Sequence, residues 1–198
     1  MSAERVISPR WEWRTFGDRF PDAEAVFAVV PSSTRTSTET YLLCPVPGVN
    51  AKIRGETLDV KRLLQVKRGL ELWTPVLKVS FPISAASIGA LFTEWKAAPP
   101  PLTREQYSQP QFLTDVIAAT PDVRAVTISK ERRQATLDGC AVEVSAVTVD
   151  AHRVLTVAVE SERPDRIEPV VRTLGLAGVG NENYVSALTR LSQTTAHA

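Results

Sequence analysis

Lysine and arginine recur two or four residues apart in three stretches of this chain: Arg10-Trp11-Glu12-Trp13-Arg14, Lys52-Ile53-Arg54 and Lys130-Glu131-Arg132. In a β-strand, residues two apart point to the same side. Each stretch therefore aims a pair of long cations at one face of a sheet and its intervening residue at the other. The first stretch adds a carboxylate, Glu12, on the face of its two arginines. A surface of this kind suits an anion with several charges, and a phosphate chain is such an anion because its oxygens accept charge-assisted hydrogen bonds.

The rest of the composition narrows the chemistry. Lys plus Arg number 23 and Asp plus Glu 22, so the molecule as a whole is no electrostatic magnet for nucleic acid. The charge is unevenly spread, with seven Lys or Arg against three Asp or Glu between Ala51 and Ser80. Trp11, Trp13, Trp73 and Trp95 read as packing residues, not base-stacking platforms, and basic residues and aromatics are not interleaved as a nucleic-acid groove needs. Cys44 and Cys140 read as reduced thiols, and with His152 and His197 they offer no zinc spacing. A metal would be a hard ion on carboxylate oxygens, magnesium or manganese. The N-terminus is charged from Glu4 and the apolar run at residues 25–30 is too short to cross a bilayer, so the expectation is a cytoplasmic protein away from membranes. Oligomeric state is not legible, and a homodimer is left open.

The elements that must position these residues are mostly strands. Alternation predicts strands over residues 11–16, 40–44, 50–54, 58–65 and 70–80, the last interrupted near Pro75. Residues 25–30 read as a short apolar strand, and the Ser/Thr-rich residues 31–38 as a loop. Ser84 caps a predicted helix with Ile88, Leu91, Phe92 and Trp95 on one stripe, ended by Pro99-Pro100-Pro101. A second helix is expected from about Thr103 through Ala119. Strands return over residues 123–133 and 135–137, turn at Asp138-Gly139, and continue over 140–149 and 153–160. Helices at 165–174 and 182–191 follow, and the tail after Gln193 reads as frayed. Closing the antiparallel strands into a barrel would remove their exposed edges and provide an interior that can be polar.

In chain order these motifs resemble the CYTH superfamily, the triphosphate tunnel metalloenzymes, which include thiamine triphosphatase, inorganic triphosphatases and class IV adenylyl cyclases. The resemblance runs from about Trp11 to Leu191 and rests on order and spacing. Arg10-x-Glu12-x-Arg14 stands where the family opens with Glu-x-Glu-x-Lys. Lys52-x-Arg54 matches its basic pair, Leu58-Asp59-Val60-Lys61 its strand ending in lysine, and Lys130-x-Arg132 a later basic pair. Glu71, Glu143 and Glu160 keep single acids where the family has two, with Ser145 and Ala158 at lost positions. Asn183-Tyr184 sit in the aromatic-bearing terminal helix.

The resemblance implies an α+β fold: one domain over residues 1–198, an eight-stranded antiparallel β-barrel with flanking helices and a lumen that holds a triphosphate. Arg10, Arg14, Lys52, Arg54, Lys61, Lys78, Lys130 and Arg132 would bind phosphate, with Lys78 in the lumen or on its rim. Glu12, Glu143 and Glu160 would be the catalytic acids and hold magnesium or manganese, which would activate water. Asp59 or Glu71 could replace missing acids. The thinned acids raise the expected positive potential, which favours anion binding over metal. The implied ligand is a small triphosphate, inorganic polyphosphate or another phosphorylated polyanion, either hydrolysed with metal or held by a module that has lost turnover. Two plainer readings stand beside this. Any one cation pair could be the solvent face of a half-exposed strand, and Glu12, Glu143 or Glu160 could simply neutralise a buried arginine.

Overall fold

The computed structural model describes residues 8–150 and 152–194; Glu4 and His197 lie outside them. In chain order the elements are β1 (Arg10–Gly17), α1 (Pro21–Val29), β2 (Ser33–Leu43), β3 (Val49–Arg54), β4 (Thr57–Lys67), β5 (Leu70–Ser80), β6 (Ile83–Ser84), α2 (Ala85–Glu94), β7 (Gln106–Tyr107) and α3 (Gln109–Gln111), which continues as a π-helical turn over Phe112–Ile117. Then come β8 (Arg124–Leu137), β9 (Cys140–Val149), β10 (His152–Ser161), a 3₁₀ turn (Pro164–Arg166) leading into α4 (Ile167–Thr173), and α5 (Tyr184–Thr194). Eight strands close into an antiparallel barrel in the order β1-β10-β9-β8-β2-β3-β4-β5, while β6 and β7 form a separate two-stranded ribbon. This is the α+β barrel with flanking helices that the sequence implied. Among the described residues no helix is long and apolar enough to cross a membrane.

Alternation along each strand sorts the side chains into an apolar outside and a charged inside. Trp11, Trp13, Val142, Val144, Val157 and Val159 point outward and are covered by Ala23 and Phe27 of α1 and by Ile167, Val170 and Val171 of α4. On the opposite flank Leu42, Ala51, Ile53, Leu58 and Val60 meet Ile88, Leu91 and Phe92 of α2, with Trp95, Tyr107 and the π-helical turn. Each fully buried side chain of this size contributes about 1.5–3 kcal/mol, so these two outer layers, not the lumen, hold the barrel together. A third cluster lies inside one end. Tyr41, Leu43, Val126, Ile128, Val147 and Val149 pack on Tyr184 and Leu188 of α5, which closes the barrel there and makes a cup.

The secondary structure departs from the sequence expectation in four places. Residues 25–30 fall largely in α1: Pro21 opens the helix, Asp22 and Glu24 sit in its first turn, and Ala23 and Phe27 form its buried face. Residues 33–38 are strand, because their β-branched threonines alternate and pair along β8 from Ser33↔Gln134 to Leu43↔Arg124. The second middle helix begins only at Gln109, where Ser108 and Gln111 form a capping box. Strand β5 is continuous through Pro75. Its ladder with β4 shifts register between Val60 and Lys61, and β1 pairs with it only from Trp73 to Glu71, so residues 74–80 form a barrel edge where proline is tolerated.

Candidate functional site

The inward alternation of four strands, β1, β3, β4 and β8, delivers six cations to one cavity of about 130 Å³: Arg14, Lys52, Arg54, Lys61, Lys130 and Arg132. Glu12, Asp59, Glu143 and Glu160 share its wall, and Tyr41, Asn50, Gln134 and Tyr184 complete it. Two of the expected phosphate ligands are placed apart. Arg10 is exposed at the start of β1, and Lys78, across from Asp59 on β5, is exposed too; neither lines the cavity. The alternation signal fails at these two positions because both lie at strand ends, where the inward face opens to solvent.

Two carboxylates organise the cations. Glu143 lies 3.1 Å from Arg132 Nε, 3.4 Å from Arg14 Nη1 and 3.6 Å from Lys130 Nζ, and Ser145 Oγ donates to it at 2.9 Å. Burial works to raise its pKa, but these cations hold it down to about 2. Glu39 is the second. It has no exposed surface, and Arg132 Nη2 donates to it at 3.0 Å, Lys52 Nζ at 3.3 Å and the Tyr41 hydroxyl at 3.3 Å. Arg54 Nε lies 3.0 Å away. Burial again opposes ionisation, and Lys52, Lys130, Arg54 and Arg132 outweigh it to hold the carboxyl at about 2. Arg132 thus bridges the two carboxylates.

Glu39 is the functional residue that sequence reasoning missed. Its signal was present: Glu39 and Tyr41 continue the period of two begun by Arg35 and Ser37, which reads only once residues 33–38 are strand. Asn50, two residues before Lys52, was recoverable in the same way.

The remaining acids make a different arrangement. Glu12 stands directly across from Glu160 on β10 and from Glu71 on β5. Arg14 Nε donates to Glu12 at 2.7 Å. Burial raises the Glu12 pKa, but Arg14 and Lys61 outweigh it and the net direction is down. Glu160 goes the other way, raised by its burial and by the charge of Glu12. Glu71 is taken up by Trp73 Nε1 and Asn183 Nδ2. Among the described residues no three His, Cys, Asp or Glu side chains converge as a metal-holding group.

The closed end is aromatic. The Tyr184 ring lies 4.3 Å from Lys130 Nζ and 4.6 Å from Arg14 Cζ, both within cation–π range, and stacks on Tyr41 at 5.1 Å. The segment leading into α5 is stitched to β1: Arg14 N donates to Asn181 Oδ1 and Glu182 N donates to Arg14 O, each at 2.7 Å.

Four buried side-chain atoms on the cavity wall have no hydrogen-bond partner: Asn50 Oδ1, Arg54 Nε, Arg132 Nε and the Tyr184 hydroxyl. The two arginine Nε atoms lie close to carboxylate oxygens but do not aim their N–H groups at them. Only one other such atom, Trp95 Nε1, occurs among the described residues, and it sits in an outer core layer. Buried polar groups are ordinarily paired, so their gathering at one cavity marks a place for a polar guest. Tyr184→Phe is accordingly expected to leave the melting temperature nearly unchanged, since the lost hydroxyl has no hydrogen-bond partner among the described residues. Thermal unfolding of both proteins checks this.

No family model matches the sequence, and no curated protein matches it. Solved structures do. A proposed adenylate cyclase from Bacillus halodurans superposes with a TM-score of 0.51 at 11% identity, covering 89% of this chain and 95% of that one. The PH1012 protein from Pyrococcus horikoshii OT3 superposes with a TM-score of 0.50 at 16% identity, covering 88% and 97%. At these identities the likeness is one of fold alone, and that fold is the closed eight-stranded antiparallel barrel expected from the sequence.

Proposed function

We propose that the cup binds a short phosphate chain, either free tripolyphosphate or the triphosphate end of a larger molecule, as one barrel domain. The convergence of four orphaned buried polar atoms with six cations on one cavity supports this reading most strongly. Phosphate oxygens accept several hydrogen bonds each, and the Nε–H groups of Arg54 and Arg132 and the Tyr184 hydroxyl are donors without acceptors. Closure by α5 favours a chain that enters end first over a long polymer threading through. The outer apolar layers and the aromatic plug at the closed end leave the charged part of the lumen free of packing duty, which weighs against the plain reading of the cations as a solvated strand face.

Hydrolysis is a further step of the same reading. Glu12 and Glu160 offer two hard oxygen donors on adjacent strands, and burial together with the charge of Glu12 raises the Glu160 pKa, which a cation between the two would oppose. They would hold magnesium or manganese, an ion that uses one or two carboxylates together with the phosphates themselves. Such an ion would lower the pKa of a bound water and polarise the terminal phosphoryl group. Glu143 belongs with Arg14, Lys130 and Arg132, so its part is to hold those cations in place. The arginines and lysines would orient the chain and neutralise charge on the leaving oxygens. Incubating the protein with tripolyphosphate, thiamine triphosphate and nucleoside triphosphates, each with magnesium or manganese, is expected to release orthophosphate. Tight binding without release from any of them would leave the cup a binding module, and neither binding nor release would overturn the reading.

A further inference from the structure

Six cations line the cavity against four carboxylates, and Glu39 stands behind them as a fifth, so by formal charge the cations are almost fully matched. Glu39 has no exposed surface and no solvent to turn toward. Its two oxygens lie 3.0–3.3 Å from nitrogens of Lys52, Arg54 and Arg132, half of the cavity's cations. These are the contacts a phosphate group would make. Resting on the reading of the cup as a phosphate-chain site, we propose that Glu39 is its specificity-determining residue: by already holding Lys52, Arg54 and Arg132, it makes the cup accept a phosphate chain whose charge is partly offset by a divalent cation and reject the bare polyanion.

The physical basis is competition within a poorly screened interior. A bare tripolyphosphate entering the cup gains attraction from the cations but is repelled by Glu39 and Glu143, each held ionised within the same cluster. Buried charges are screened much less than surface ones, so the repulsion is felt across the whole cavity. A chain carrying a magnesium ion brings less charge past the carboxylates, and Glu12 and Glu160 offer that ion further oxygens. Glu39 contacts the cations from behind and does not itself line the cavity, so it acts through Lys52, Arg54 and Arg132.

The test is calorimetric titration of tripolyphosphate into the full chain, once with chelator and once with magnesium, for the wild type and Glu39→Gln. The wild type is expected to bind the magnesium form at least about tenfold tighter than the bare chain. In Glu39→Gln the bare chain should gain about tenfold in affinity, so that the preference for the magnesium form narrows or disappears. Should Glu39→Gln alone not fold, the comparison moves to Arg54→Met against Arg54→Met/Glu39→Gln, in which a cation is removed along with the carboxylate; the narrowing is expected there too. An equal preference for the magnesium form with and without Glu39, or a wild type that binds the bare chain as tightly as the magnesium form, overturns the role of Glu39 and leaves the phosphate-chain reading standing. No binding in any arm removes that reading and the role of Glu39 with it.

Discussion

Arg132→Ala is expected to destabilise the fold by about 3–5 kcal/mol, the usual cost of breaking a buried ion pair by deleting one partner, and to weaken tripolyphosphate binding by roughly two orders of magnitude. Arg132 is only 8% exposed and, among the described residues, is the one side chain ion-paired with both Glu39 and Glu143, with Nη2 3.0 Å from Glu39 and Nε 3.1 Å from Glu143. Deleting it takes a countercharge from each at once. Neither carboxylate can turn to bulk water, since Glu39 has no exposed surface and the Glu143 side chain only 12%. The same deletion removes one of the orphaned donors from the cavity wall, so binding and stability fall together. Denaturant unfolding of both proteins checks the first effect, as a lowered midpoint at unchanged slope. A midpoint shift worth less than about 1 kcal/mol would show that Arg132 does not bridge the carboxylates.

Lys130→Met is expected to remove a pH dependence of stability that the wild type shows between about pH 7 and pH 10. Burial, with the nearby charges of Arg14 and Lys52, lowers the Lys130 pKa from 10.5 to about 7, and the attraction of Glu143 and Glu39 offsets only part of this. Across that window the unfolded chain holds the proton and the folded chain does not. The unfolded state therefore binds more protons, and the Lys130 contribution to stability rises with pH. It is most unfavourable below about pH 7, where the folded protein must keep a buried ammonium charged, and it levels off above the unfolded pKa. The slope is up to about 1.4 kcal/mol per pH unit, so the stability difference between wild type and Lys130→Met should change by several kcal/mol over the window. Anion binding follows the opposite sense. It should weaken in the wild type as pH rises through 7, because Lys130 loses its charge while the arginines keep theirs. Unfolding curves of both proteins at pH 6, 7, 8 and 9 check the first part. A constant difference across that range would mean that Lys130 is not a buried, depressed lysine.

Much of this site was legible in the sequence because the barrel is read by a period of two. Spacing alone puts Arg14, Lys52, Arg54, Lys130 and Arg132 on shared strand faces, the resemblance implies that those faces turn inward, and the strands that carry them begin within one residue of the expected starts. The period gave direction but not depth. Arg10 and Lys78 share it and are exposed, because alternation cannot tell the middle of a strand from its end. The most consequential miss followed from composition. A Ser/Thr-rich composition predicts a loop over residues 31–38, which starts the strand at Thr40 and leaves Glu39 without a face. Its threonines are in fact strand residues on the uncovered side of the barrel, and the β8 residues that pair with them lie 91 to 99 positions away in the chain. That missing carboxylate also inflated the expected positive potential of the lumen. The helix at residues 21–29 was hidden by its short apolar run, which only Pro21 and the acidic first turn distinguish from a strand. The role of Tyr184 depends on α5 folding across the barrel end, a tertiary event that no local pattern encodes.

The proposed joint hold of the inward lysines and arginines on one phosphate chain is tested most directly by diffraction from crystals grown with tripolyphosphate and manganese. The expected result is a chain of phosphate density inside the barrel, with oxygens within hydrogen-bonding distance of Arg14, Lys52, Arg54, Lys130 and Arg132, its inner end toward Tyr184 and manganese between the chain and Glu12 and Glu160. A lumen without bound anion at saturating ligand, or tripolyphosphate held only on the outer surface, would contradict it.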